Sequence, residues 1–194
     1  VAQCGQGLCF EGDGEAIEWA VKMRRLPDSA TLHSRLQHGC VDVDTIRKLA
    51  GRIAAFHAKA ESGPRISALA GFKTVAGNAR ENFDQTLGHV GTSVTRTVFD
   101  RVRGLTEESL NKLRSLIESR AARSVPRDTH GDLRLGHVYI FPDRDPPEDL
   151  IVIDCIEFTE RFRFADPIAD MAFLLMGLKL QGEVALSREF LEGY

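Results

Sequence analysis

The hydrophobic pattern changes period along the chain, and those changes set the fold class. After Asp44, residues Ile46, Leu49, Ile53, Ala54, Phe56 and His57 recur at three- and four-residue steps to about Ala60, the repeat of a helix with one buried face. Asp42 or Asp44 is placed to cap it. After Pro126 the pattern gives way to short apolar runs at 137–141 and 150–153, joined by a polar stretch at 142–149. Runs of that length bounded by turn residues read as two paired strands. Helical repeats return over 167–180 and 183–194. The sum is a mixed α+β chain in which a small hairpin interrupts a largely helical body.

The remaining segments are read by the same signals. Residues 8–10 and 16–23 suggest a hairpin turning at Glu11-Gly12-Asp13-Gly14, with Pro27 ending its second strand. Ser29 is placed to cap a short helix through Leu36, which Gly39 would stop. Residues 62–65 form a Gly/Pro break. Two or three helices are expected beyond it, at roughly 73–87, 93–103 and 106–123. The last would open on Thr106, with Glu107 and Glu108 at the positive end of its dipole.

Bulk properties exclude several classes. Hydrophobic residues are 43% and charged residues 27% of the chain, which suits a conventional core. The net charge of −3 and the pI near 6.1 argue against a nucleic-acid binder. The strongest apolar run, 171–180, is too short to cross a bilayer and contains Lys179, so no membrane partner is expected and a cytoplasmic setting is. Cys4, Cys9, Cys40 and Cys155 show neither C-x-x-C spacing nor a zinc pattern, and reduced, buried thiols are expected. The sequence opens on Val1 without Met and stops at Tyr194 inside a helical repeat, which suggests a fragment or a processed form.

The chemistry concentrates in His130-Gly131-Asp132-Leu133-Arg134-Leu135-Gly136-His137 and in Ile153-Asp154. An acid on a glycine-containing loop, followed by a second acid at the end of an apolar strand, suits phosphoryl transfer. That reaction needs a carboxylate to orient the acceptor hydroxyl and take its proton. It also needs magnesium, which usually takes one or two carboxylates and leaves its other positions to phosphates and water.

This segment resembles the catalytic loop of protein-kinase-like phosphotransferases, especially the aminoglycoside phosphotransferase and choline kinase branch, where His-Gly-Asp is followed after four residues by Asn. The resemblance implies that Asp132 is the catalytic base, that His130 props it, and that Asp154 holds magnesium. Phe164-Ala165-Asp166-Pro167-Ile168-Ala169-Asp170-Met171-Ala172 is similar to the family's Gly-Asp-Pro-x-x-Asp-Leu-Ala, whose acids hold the loop and start the next helix. Val21-Lys22-Met23-Arg24-Arg25-Leu26-Pro27 resembles the hinge, which implies that Met23, Arg24, Arg25 and Leu26 grip the adenine of ATP. Ala54-Ala55-Phe56-His57-Ala58 is similar to the family's Leu-His helix end. The chain is nearest in pattern to a bacterial group in which the kinase-like domain precedes a P-loop ATP-binding domain. No P-loop occurs here, so such a partner would lie outside these residues.

Three departures qualify the resemblance. His137 stands where Asn is usual: it binds the metal, hydrogen-bonds Asp132 or marks a weakened site. No Gly-rich loop or paired Lys precedes the hinge, since Lys22 adjoins it. The stretch from Asp154 to Asp166 is longer than usual and adds Glu157, a second carboxylate for metal or substrate or else an ion-pair partner for Arg161 or Arg163. The expectation is an α+β, protein-kinase-like chain with residues 1–26 as a remnant N-terminal lobe and hinge and 27–194 as a mostly helical C-terminal lobe. Its catalytic residues would be Asp132 and His130, and its metal ligands Asp154 and His137. Its cofactors would be ATP and Mg2+, and its substrate a small polar alcohol. The rival is a non-catalytic, kinase-shaped regulatory module linked to an ATPase domain; a metal-dependent phosphohydrolase would need more ligands than the sequence offers.

Overall fold

The computed structural model describes residues 1–194 and is a mixture of helices and short antiparallel strands. Its centre is helix α2, Val43–Lys59, where Asp42 accepts a 2.8 Å hydrogen bond from Thr45 N and so satisfies one of the free donors at the helix start. Ile46, Leu49, Ala50, Ile53 and His57 form its buried face. Helix α7, Ile168–Leu180, and helix α8, Val184–Gly193, pack beside it and add Met171, Leu174, Leu178, Leu186 and Phe190. Strands β4, Val138–Ile140, and β5, Leu150–Val152, pair antiparallel with Ile140 opposite Leu150, closing the same core. Arg52 of α2 holds the hairpin loop through Pro147 O (3.0 Å) and Asp149 (2.9 Å). No helix is long and apolar enough to cross a membrane.

Helix α1, Leu32–Gln37, is capped by Thr31, whose Oγ1 accepts from Ser34 N, and not by Ser29, which lies in a 3-10 turn at Asp28–Ala30. The expected break at 62–65 supplies the start of a short helix α3, Pro64–Leu69, because proline at its first turn needs no N–H partner. Helix α4, Phe72–Thr86, follows. The two helices expected next are one, α5, Arg96–Ala122, capped by Thr95. Thr106 does not start a helix: α5 runs on through Gly104, and Glu107 takes both Nε and Nη2 of Arg80 from α4 at 2.8 Å. Strand β3, Arg127–Asp128, pairs with β6, Phe164–Ala165, which follows the short helix α6, Glu160–Arg163.

Near the start, the hairpin lies earlier than the sequence suggested. Strand β1, Ala2–Cys4, pairs with β2, Gly7–Cys9, because Gly5 takes the positive φ (60°) of the tight turn. Ala16 bridges Ala2 on the other edge, and 17–26 form no strand. The expectation of four reduced, buried thiols is corrected in part: Cys40 and Cys155 are free, as expected, but none of the four is a reduced, buried thiol. The hairpin brings the Cα atoms of Cys4 and Cys9 to 6.0 Å, within bridging distance, and they form a disulfide; Cys40 and Cys155 are exposed.

Candidate functional site

The loop from His130 to Asp132 is held from below by a buried carboxylate. Asp170 Oδ2 accepts from His130 N and Oδ1 from Gly131 N, both at 2.9 Å, while His57 Nε2 reaches Oδ2 at 3.0 Å. Tyr194 OH lies 2.8 Å from the other nitrogen of His57, so a chain of three side chains runs from the residue that follows α8 to the loop. Burial raises the pKa of the Tyr194 hydroxyl. Gly131 has φ +83°, and a Cβ there would come within 3.0 Å of Ile156 Cγ1 and Phe162 O, so the loop needs glycine at this point.

Both ring nitrogens of His130 are engaged with backbone. Nε2 lies 2.9 Å from the Ile153 carbonyl, which can only accept, so Nε2 carries the proton. Nδ1 then accepts from Asp132 N at 3.3 Å. His130 thus links the Asp132 backbone to the carbonyl of Ile153, next to Asp154, and has no free ring nitrogen.

His137 follows the same logic. Its Nδ1 donates to the Asp132 carbonyl at 2.9 Å, which leaves the Nε2 lone pair pointing outward. That lone pair faces Asp154 Oδ2 at 3.3 Å and Arg134 Nη2 at 2.8 Å. Arg134 Nε is 3.1 Å from Asp132 Oδ2, so one guanidinium spans Asp132 and His137. Reading the sequence alone includes Arg134 in the loop but gives it no role; its signal is the place two residues after Asp132. Asp154 itself has φ +66°, a left-handed conformation that aspartate tolerates, and its side chain is 71% exposed.

Asp132, His137 and Asp154 are therefore brought together, but no group of three His, Cys, Asp or Glu side chains is arranged to hold a metal. Asp154 and His137 offer one oxygen and one nitrogen. This set fits a magnesium ion only when phosphate oxygens and water complete its shell, and the nitrogen is softer than that ion prefers. Met23–Leu26 lie apart, in an exposed segment whose backbone groups make no hydrogen bond within the chain, beside a groove of about 570 Å³ bordered by Arg144. Glu157 is exposed and pairs with neither arginine: Arg161 binds Glu81 and Arg163 binds Asp128. Asp166 takes two nitrogens of Arg120 and accepts from Ile168 N at 3.1 Å, starting α7 as expected. The Asp166 carboxylate also raises the pKa of the Arg120 guanidinium.

Two cavities flank this loop. One of about 580 Å³ lies on the α2 side, with Ile53, Phe56 and Leu133 in its wall and Lys59 and Cys155 at its border. The other, of about 550 Å³, opens beside Arg134 and His137.

The chain is 29% identical, over 195 aligned residues, to uncharacterized proteins of Mycobacterium tuberculosis and Mycobacterium bovis. The similarity covers all of this chain and 38% of those proteins, so the chain spans well under half the length of the curated relatives it matches. No family model matches it. No solved structure matches it either.

Proposed function

We propose that this chain carries the catalytic loop of a magnesium- and ATP-dependent phosphotransferase of the protein-kinase-like fold, acting on a hydroxyl of a small molecule. The observation that supports this best is the meeting of Asp132 and Asp154 across His137, on a loop whose backbone is fixed by Asp170. Fixed geometry matters because phosphoryl transfer gains mostly from positioning and charge stabilisation. Magnesium-bound ATP would supply the phosphoryl group, its γ-phosphorus–oxygen bond breaking as the acceptor oxygen bonds to phosphorus and ADP leaves with the electron pair. Asp132 orients the acceptor hydroxyl and takes its proton. Asp154 and His137 Nε2 would hold the metal, which would neutralise charge on the phosphates, with Arg134 giving up its contact to His137. The unengaged backbone of Met23–Leu26 is available to an adenine edge.

The test is turnover of ATP with an acceptor. Asp132→Asn and Asp154→Asn should each lower it by about 100-fold or more, the usual worth of a positioned acid or base. Near-normal rates in both would remove the reading. A second reading rests on Arg134: its guanidinium already bridges Asp132 and His137, as a built-in cation would in a non-catalytic module tuning an attached P-loop ATPase domain. Magnesium-independent nucleotide binding, unaffected by Asp154→Asn, would favour it.

A further inference from the structure

The groove beside Arg134 and His137 has an unusual wall. Phe173, Met176 and Leu180 of α7 line it at a spacing of three and four residues, which places them on one face of the helix. They are 39%, 52% and 84% exposed, while Met171, Leu174 and Leu178 on the opposite face are buried in the core. An apolar strip left open to water beside a polar loop marks a binding surface. The charge-bearing groups that line it are Arg134, His33 and His137; Asp132, paired with Arg134, and Asp154, 3.3 Å from His137, stand just behind them. The catalytic loop is seated against the same helix, since Leu135 occupies the space that a side chain at Gly177 would fill.

We propose that this groove binds the acceptor, and that the acceptor is an amphipathic alcohol: an apolar chain with an anionic group a few bonds from its hydroxyl. The inference rests on the phosphotransferase reading for the identity of the reacting hydroxyl. The apolar chain lies along Phe173, Met176 and Leu180, displacing water from all three. The anionic group meets the Arg134 guanidinium, which suits carboxylate and phosphate oxygens. That engagement draws Arg134 Nε away from Asp132 Oδ2, 3.1 Å distant, and frees the carboxylate for the acceptor hydroxyl. A polycationic amino sugar would meet the Arg134 guanidinium on the groove wall, with Asp132 and Asp154 set behind Arg134 and His137 rather than lining it.

The experiment is calorimetric titration of the chain, without nucleotide, with 3-hydroxydecanoate, 3-hydroxybutyrate and the amino sugar kanamycin. The longer hydroxy acid should bind at least about tenfold more tightly than the shorter, and kanamycin more weakly than both. Met176→Glu and Arg134→Gln should each weaken 3-hydroxydecanoate by about tenfold, and Phe56→Glu, in the cavity on the far side, should not. Both Met176 and Arg134 are exposed enough to be replaced without opening the core, and the far-UV spectrum of each variant checks it. Tighter binding of kanamycin, no chain-length effect, or indifference to Met176→Glu would overturn the proposal. Because no nucleotide is present, binding as expected but without product on adding magnesium and ATP would instead count against the phosphotransferase reading.

Discussion

Asp170 shows how much of the site depends on one carboxylate. It is fully buried and receives three donors: the N–H groups of His130 and Gly131 and Nε2 of His57. Each buried donor left without a partner costs roughly 1–3 kcal/mol. Asp170→Ala should therefore destabilise the chain by about 3 kcal/mol or more, a large part of the roughly 5–15 kcal/mol that holds a domain folded. Asp170→Asn keeps one oxygen and can still serve His130 and His57, setting its amide against Gly131 N alone. Its loss should be smaller, about 2 kcal/mol by the same reckoning. Urea denaturation followed by circular dichroism measures both; a change under about 1 kcal/mol for the alanine variant would deny Asp170 its role as the loop's anchor. The motif places Asp170 in the sequence, and its neighbour Asp166, correctly as loop and helix supports. His57 and Tyr194 are harder to read, because a histidine at a helix end says nothing about a tyrosine that folding brings to it from 137 residues away.

At the level of elements, Gly177 decides whether α7 and the loop that carries Leu135 can touch. A Cβ at Gly177 would lie 2.7 Å from Leu135 Cγ and 3.0 Å from its Cδ1. Alanine gains roughly 0.5–1 kcal/mol over glycine inside a helix, while overpacking of this kind costs about 1–3 kcal/mol. The clash wins, so Gly177→Ala should destabilise by about 1 kcal/mol and displace Arg134 and His137, which flank Leu135. In a Leu135→Ala background the obstacle is gone and the same substitution should stabilise. Thermal melts of the four proteins give the sign in each background, and no reversal of sign would mean that Leu135 is not what limits the helix. Helix α2 offers a second test. The Thr45 hydroxyl first, and the Thr45 N–H second, hold the Asp42 pKa below its ordinary 3.8. A depressed carboxylate stabilises the fold above the unfolded value and loses that contribution as pH falls through the folded one. Asp42→Ala should cost roughly 1 kcal/mol near neutrality and nearly nothing in strong acid, measured as the gap between wild type and variant in urea at the two pH values.

The elements legible in the sequence were those with their own local signal. Asp42 with the three- and four-residue repeat defined α2, and two apolar runs with a polar connector defined β4 and β5. The continuity of α5 was not legible, since Gly104 and Thr106-Glu107-Glu108 carry the local signs of a stop and a start. What overrides them is tertiary, the pairing of Glu107 with Arg80 and the edge-on contact of Phe83 with Phe99. The disulfide escaped because it depends on a hairpin register that the Asp13-Gly14 turn signal misplaced. At the site, the three polar residues could be named from their order in the chain. The guanidinium of Arg134 lying across them could not, because a long exposed side chain can reach either way.

Taken whole, the molecule exposes far more surface than its mass requires. A compact monomer of 21.5 kDa should expose about 9,200 Å² by the usual scaling, whereas this chain exposes 12,738 Å². The excess lies at two places. Helix α5 runs about 40 Å with only Phe99 and Leu110 buried along it. Residues 1–26 make no hydrogen bond to the rest of the chain, and Ile17, Trp19, Val21 and Met23 alternate along an exposed stretch without a partner strand. The division expected at residue 26 therefore has a measurable consequence. Trp19 is the single tryptophan and is 86% exposed, so its indole meets water in the folded chain as it does in the unfolded one. At low protein concentration its emission should already resemble that of free tryptophan and stay nearly constant across a urea titration, while the helical circular dichroism is lost in a cooperative step. The silence follows from the segment's independence: unfolding of α2, α7 and α8 removes no neighbour from Trp19. Blue-shifted native emission that reddens together with helix loss would mean that 1–26 docks on the body and unfolds with it. A blue shift that grows with protein concentration, by contrast, would keep the division and show that the alternating apolar face is covered by association between copies, as an unpaired strand edge invites.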